Sequence, residues 1–594
     1  MAGGMAMGPG SNKAYAGHVT TYVIISCIVA ASGGALFGYD NGVTGGIVAM
    51  HPFLRKFFPA VDAVISDQEA NRQYCEDHPE DHTPKCDFIQ NPYCSFDSQA
   101  LQWFTSSLFV AGMIAALPAG WFTKKYGRKL SMLVAGLFFD VGVVVLAAAE
   151  HISMLFIGRV LLGIAVAMAS VAVTLYNSEM APAQHRGRLN QIFQVVLSLG
   201  IVVAQGINIG TQDLEHGWRI SLAFAGAPAI ILTIGGLVLP DTPNSLIERG
   251  KFEEGRRVLT KIRGVQNVEE EFQDIITACK VSNSVTNPWG NLFFKRSFRP
   301  QLFIAFTATF FQQWTGINTV IFYAPQLFII LGTGQSAALA ATIVTGVINH
   351  LATYVSLWAA DEFGRRFLLL EAGFQMVISL FIVSITLATG FTAGPWIAWF
   401  VLVFMCIYIS AYAWSWGPLA WLYPSEIQPL ETRSAGQGIV TMVNLAFSFV
   451  IGQTYLSMLC AFQWGIFLFF GFFIVIATLV VYFLYPETKG LPIEECPLIF
   501  RHHWFWKRYA APEGKDAPML LNQMSTNSTL NGNVEMSTAN GFNSGIITNP
   551  LQVTGATPAP SGAITWLDRE APEPTATGMI THAGPKSDDP LWRD

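Results

Sequence analysis

Long apolar stretches alternate with short polar connections along this chain. About twelve of them, at 19–48, 98–122, 129–149, 152–177, 188–210, 219–240, 301–331, 335–360, 366–390, 395–422, 433–456 and 463–485, are each long enough to cross a bilayer core of ~30 Å as a helix. The first run is too long for a signal peptide and reads as the first span. Three polar parts interrupt the pattern: 49–97, a charged centre at 241–300, and a tail after Pro486. In the centre, Leu246–Arg263 and Val268–Lys280 fit short amphipathic helices. From Ala511 the tail is rich in Asn, Ser, Thr, Pro and Gly without apolar periodicity, the pattern of a disordered segment. An all-α membrane protein is therefore expected.

Composition agrees. The 594 residues are 52% hydrophobic and 12% charged, against about 25% charged in soluble domains. No basic tract suggests nucleic acid. Placement of the charges says more than the net of −6. Lys124, Lys125, Arg128 and Lys129, then Arg186 and Arg188, ten Lys/Arg of the centre, Arg365 and Arg366, and Arg433 fall in alternate connections, whereas the opposite connections are nearly bare. The positive-inside rule then puts both termini and 241–300 in the cytoplasm and 49–97 outside.

The halves echo each other. Ser178-Glu179-x-x-Pro182-x-x-x-Arg186 recurs as Ser425-Glu426-x-x-Pro429-x-x-x-Arg433. Gly127-Arg128-Lys129 recurs as Gly364-Arg365-Arg366, and Pro240-Asp241-Thr242 as Pro486-Glu487-Thr488. Six spans separate the copies, an even number, so the repeats are parallel, a transporter architecture with the substrate at midplane between two bundles. The expected layout is an N-terminus at 1–18, bundles at 19–240 and 301–485 with the linker 241–300 between, and a tail at 486–594.

Charges at membrane depth are costly, roughly 2.5–3.5 kcal/mol on insertion scales, and functional by default. Asp40 in the first span and Arg159 in the fourth are such charges, and at 1.5 Å per residue both lie roughly 10–15 Å below the outer surface. Their pairing serves either a proton-binding switch or static packing. Asp140, in the third span, has no assigned role. The membrane-depth amides Gln194, Gln205, Gln312, Gln313, Asn318, Asn349 and Asn444 suit sugar hydroxyls, each amide both donating and accepting, but also suit inter-helix contacts. Trp414 and Trp416 read as lipid-facing or packing residues, and His502-His503 as an interfacial anchor rather than a metal site. No nucleophile–base or metal constellation appears, so neither an enzyme nor a cofactor is expected.

Jointly, Gly158-Arg159, Ser178-Glu179-Met180-Ala181-Pro182, Arg186-Gly187-x-Leu189-Asn190, Gln312-Gln313-x-x-Gly316-Ile317-Asn318, Gly417-Pro418-x-x-Trp421, Pro424-Ser425-Glu426-Ile427 and Pro486-Glu487-Thr488-Lys489-Gly490 resemble the sugar porter family of the major facilitator superfamily. Phe37-Gly38-Tyr39-Asp40 and the long outer loop resemble its plant and green-algal monosaccharide–proton symporter branch. The resemblance implies the major facilitator fold, and import of hexoses such as glucose or galactose with a proton across the plasma membrane, by a monomer. It implies Asp40 as proton carrier with Arg159 as partner, and sugar contacts from Gln194, Gln312, Gln313, Asn318, Asn349, Trp421 and Asn444. It also implies an inner salt-bridge gate of Glu179, Arg186, Glu426, Arg433, Arg128 and Arg365. Departures stand out at Asn41, where the branch has an apolar residue and an amide bears on sugar preference, and at Thr174, Trp314 and Lys124; with Lys124 in place of an acid, the first half's cluster is expected to be the weaker one.

Of eight Cys, Cys75, Cys86, Cys94 and Cys460 fall on the outer side, where three pairings are open. The resemblance implies Cys94–Cys460, which leaves Cys75 with Cys86.

Overall fold

The computed structural model describes residues 18–77, 94, 98–182, 185–284, 288–330, 335–390, 396–429, 432–489 and 499–509. Regular structure among them is helical throughout. Eleven helices there are long and apolar enough to cross a membrane. Most lie within a few residues of the expected spans, although the eleventh runs on to Phe462. Large apolar side chains on their outer faces, such as Ile114, Val144 and Phe374, are exposed, as lipid contact requires.

The seventh expected span, 301–331, is two helices, Arg299–Trp314 and Ile317–Ile330. They break at Gly316, whose φ of 86° lies in the left-handed region that glycine enters freely. A Cβ there would also strike the Phe470 ring. The tenth span breaks as well, at Ser415 (φ −128°, ψ −88°), between Trp396–Trp414 and Trp416–Ile427. Backbone freed at membrane depth needs partners inside the protein, and here each break serves the other. Gln312 Nε2 donates to the carbonyls of Trp416 (3.1 Å) and Gly417 (2.8 Å), while Tyr408 Oη donates to that of Thr315 at 2.8 Å.

The first span, Thr21–Ile47, is organised by a glycine face. Gly34, Gly38, Gly42 and Gly46 recur every four residues and so share one side. A Cβ on each would overlap the Phe193, Leu197 or Ile201 carbonyl or the Asn208 side chain, all on the fifth span, Arg186–Thr211. Small residues let membrane helices approach to backbone contact. Across the two halves, the second span packs on the eleventh, the fifth on the eighth, and the first on the second piece of the seventh.

The segment expected as an outer loop is partly helical: His51–Phe57 and Pro59–Asp77 form a lid. Phe53 packs on Phe57, Phe58, Phe104 and Trp218 at ring separations of 5.3–5.8 Å. On the opposite, linker side, Pro243–Glu248, Phe252–Arg263, Glu269–Ser284 and Pro288–Phe294 are helices. Arg263 ties them to the bundle, donating to the Met180 carbonyl at 3.0 Å and pairing with Glu271 at 2.6 Å.

Candidate functional site

Asp40 and Arg159 meet. Arg159 Nη1 lies 2.7 and 3.0 Å from the two Asp40 carboxylate oxygens, and Nη2 donates to Thr44 Oγ1 at 2.6 Å. The Arg159 side chain is fully buried and that of Asp40 is 4% exposed. Phe104 lies over the guanidinium at 4.4 Å, so an aromatic face completes the charge's surroundings. Because Phe104 also packs on Phe53, the lid reaches the ion pair through one ring. Thr44 and Phe104 escaped sequence reasoning. Thr44 follows Asp40 by one helical turn, a spacing that could have pointed to it; Phe104 carries no sequence signal.

Of the predicted amides, Gln312, Gln313, Asn318 and Asn444 gather where the two broken helices cross. Asn444 Nδ2 donates to Gln312 Oε1 at 2.8 Å, and Asn318 Nδ2 to Gln313 Oε1 at 2.5 Å and Ser448 Oγ at 3.1 Å. Buried oxygens of Asn41, Gln194, Asn349 and Asn444, and the indole nitrogen of Trp416, have no partner among the described residues. Each such group costs about 1–3 kcal/mol unless something bonds it, and a ligand rich in hydroxyls suits all of them. Gln205, which matches none of the family's sugar contacts and is expected only to join helices, packs against Gly346 of the eighth span. Trp416, expected at the lipid or in packing, is 1% exposed; it sits beside the tenth-span break rather than facing lipid. Trp421 is buried 6.2 Å from Phe193. It lines, with Thr174, Asn190, Gln191, Gln194 and Pro418, a narrow cleft toward the linker side.

On that side the repeated motifs fold into two matching clusters. Arg128 Nη2 pairs with Glu179 at 2.7 Å, Thr242 Oγ1 bonds the same carboxylate at 2.5 Å, and Asp241 accepts the Arg128 amide at 3.1 Å. In the second half Arg365 pairs with Glu426 at 2.8 Å, Thr488 bonds Glu426 at 2.9 Å, and Glu487 accepts the Arg365 amide at 2.9 Å. Lys124, which stands where an acid was expected, approaches Glu248 at 3.6 Å, and Glu248 also takes Arg128 at 3.4 Å. The linker thus brings an acid to the first cluster. Arg433 lines a cavity with Arg128, Glu179 and Glu248, and the side chain of Arg186 lies outside the described residues. Cys279 lines that cavity too, its thiol pushed up to about 12 by burial. Arg188 to Asp361 (3.2 Å) and Ser356 to Gln191 (3.0 Å) then bind the halves together.

The lid side is closed as well. Thr105 and Tyr323 hydroxyls lie 3.0 Å apart, Ser106 donates to Gln453 at 2.6 Å, and Gln102 to Ser457 at 3.1 Å. Cys94 and Cys460 form a disulfide there. Cys86, the expected partner of Cys75, lies outside the described residues, as does the Cys75 side chain. Asp140 accepts from Thr233 Oγ1 at 2.9 Å.

The chain matches the family model described as "Sugar (and other) transporter" over residues 26–500. It is 47% identical over 518 residues to Sugar transport protein 10 of Arabidopsis thaliana, covering 86% of this chain and 97% of that one. Sugar carrier protein C of Ricinus communis is 46% identical over 520 residues, covering 86% and 96%. Among solved structures, the proton:xylose symporter XylE bound to 6-bromo-6-deoxy-D-glucose is 25% identical with a TM-score of 0.67, covering 81% of this chain and 100% of that one.

Proposed function

This chain belongs to the sugar transporter family of the major facilitator superfamily, and from that premise we propose that it carries monosaccharides, with hexoses as the expected class, into the cell together with a proton. The observation that carries this reading is the buried Asp40–Arg159 pair, one residue from Asn41 with its unpartnered oxygen. The lid side is the outside, the termini and linker are cytoplasmic, and the plasma membrane is the setting.

In the closed arrangement the Asp40 carboxyl faces Arg159 Nη1. Protonation removes the charge that Arg159 Nη1 faces and leaves the guanidinium to Thr44 and the Phe104 ring. The first span is then free to shift against the fourth. Its glycine face carries that shift to the fifth span, which bears Gln194. Gln194, Gln312, Gln313, Asn318, Asn349, Asn444 and Asn41 hold the sugar hydroxyls, with Trp421 under the ring. The Arg128–Glu179 and Arg365–Glu426 clusters, with Arg186 and Arg433 beside them, hold the inner gate shut until sugar and proton are both aboard. Cys94–Cys460, with Cys75–Cys86 as the local pair, fastens the lid. One copy of the chain contains the whole site, so a monomer suffices.

The test is uptake of several labelled hexoses into proteoliposomes with and without a pH gradient, acidic outside. The wild type concentrates sugar only with the gradient, and Asp40→Asn equilibrates it at best. Concentrative uptake by Asp40→Asn would overturn the mechanism and favour a facilitator of the same fold.

A further inference from the structure

The linker-side ends of the seventh and twelfth spans carry charge that the transport cycle leaves unused. Between Pro288 and Pro300 lie Lys295, Arg296 and Arg299, between Ile499 and Tyr509 lie Arg501, Lys507 and Arg508, and neither segment contains an Asp or Glu. The fold brings these two segments together. Arg296 Nη2 donates to the Arg508 carbonyl at 3.0 Å. The guanidinium carbons of Arg296 and Arg299 lie 5.4 and 6.0 Å from the Tyr509 ring, and that of Arg508 lies 4.9 Å from the Phe505 ring. Aromatic faces hold cations in place without cancelling their charge. Among the described residues, every ion pair belongs to other side chains.

Two indoles set the depth of this patch. Trp504 Nε1 donates to the Phe483 carbonyl at 2.8 Å and Trp506 Nε1 to that of Leu484 at 2.7 Å, satisfying the last turn of the twelfth span. Rings bonded at the end of a membrane helix sit at headgroup level. Trp506 is buried, but Trp504 is 59% exposed and Phe294 is 85% exposed. His503 Nδ1 accepts the amides of Phe505 and Trp506 at 3.2 and 3.4 Å. Burial and the charge of Arg366 push its pKa down, so the positive charge here comes from Lys and Arg.

We propose that this patch binds the phosphate headgroups of anionic lipids in the adjoining leaflet. Clustered Lys and Arg just beyond a membrane helix attract anionic lipid. The exposed rings of Trp504 and Phe294 choose a lipid over a dissolved polyphosphate, which would match the cations and leave both rings in water.

The test uses the full chain in nanodiscs containing brominated phosphatidylserine or brominated phosphatidylcholine at equal mole fraction. Bromine quenches indoles in contact, and the difference between wild type and Trp504→Phe isolates the quenching of Trp504. Brominated phosphatidylserine is expected to quench Trp504 at least twofold more than brominated phosphatidylcholine. The combined variant Arg296→Gln, Arg299→Gln, Arg508→Gln removes that excess and keeps the quenching by phosphatidylcholine. Should those changes disturb folding, Lys295→Gln with Lys507→Gln, both at exposed positions, reduces the excess by about half. Equal quenching by the two lipids overturns the proposal. So does loss of the excess on adding inositol hexaphosphate while Trp504 is no longer quenched by phosphatidylcholine, which would assign the patch to a soluble polyanion.

Discussion

Arg159 donates to a carboxylate and a hydroxyl and lies against an aromatic face. Lysine would keep the charge but cannot span Asp40 and Thr44 with a planar fork. Arg159→Lys is therefore expected to lower the initial rate of gradient-driven uptake by roughly tenfold or more, the equivalent of ~1.4 kcal/mol, with folding intact by size-exclusion profile. Preserved rates would mean that the fork is dispensable. Thr105 follows Phe104 directly and meets Tyr323 on the second half, which makes it the nearest link between the ion pair and the lid-side closure. Tyr323→Phe removes its hydroxyl contacts with Thr105 and the Gly452 carbonyl (3.2 Å) and keeps the ring stacked on Tyr455 at 5.1 Å. Sugar efflux into a sugar-free bath is expected to rise several-fold in this variant, and unchanged efflux would remove Tyr323 from the gate. At this scale Asp40, Arg159 and the amides were legible because polar groups in an apolar run announce themselves. Phe104, Tyr323 and Trp416 were not, since aromatics abound in membrane helices and only position separates a wall from a filler.

The helical elements explain which glycines cannot change. Gly38 meets the Leu197 carbonyl so closely that any side chain forces the first and fifth spans apart. Gly38→Val is expected to abolish a monodisperse product in detergent, whereas Gly206→Ala, in open space on the fifth span, leaves yield and melting temperature unchanged. Equal behaviour of the two would mean that the close approach is not needed. The four-residue spacing of Gly34, Gly38, Gly42 and Gly46 was present in the sequence, but small residues line many membrane helices and nothing in the spacing names the partner. The break in the seventh span was hidden for a related reason. The polar residues Gln312, Gln313, Thr315 and Asn318 around Gly316 fit a continuous span as well as a broken one, and hydropathy does not register a single residue with positive φ.

Across the whole molecule, the repeat seen in the sequence became two clusters of the same build, with Asp241 and Thr242 matched by Glu487 and Thr488. Sequence spacing showed that the motifs recur, yet left open that each Glu takes the Arg of a different connection. It also gave no sign that Glu248 of the linker joins one cluster only. The lid has its own fastening. Lys56 and Arg219 both bond Glu150, whose pKa they hold down to about 2. A depressed carboxylate contributes stability above its unfolded pKa of ~4.3 and loses it as pH falls through the folded value. The lid helix His51–Phe57 is therefore expected to stay docked from pH 8 down to about pH 5. Glu150→Gln loosens it modestly throughout that range, the buried Phe53 packing keeping it in place. Hydrogen exchange of 51–57, corrected for the intrinsic rate at each pH, reads the difference; a lid that loosens by pH 6 in the wild type contradicts it.

The disulfide has a mechanical consequence. Cys94 lies just before the second span and Cys460 near the end of the eleventh, the pair of spans that face each other across the two halves. A covalent tie there acts as a hinge pin: it limits how far that lid-side edge can part, so any opening between the halves falls to the edge where the fifth span meets the eighth.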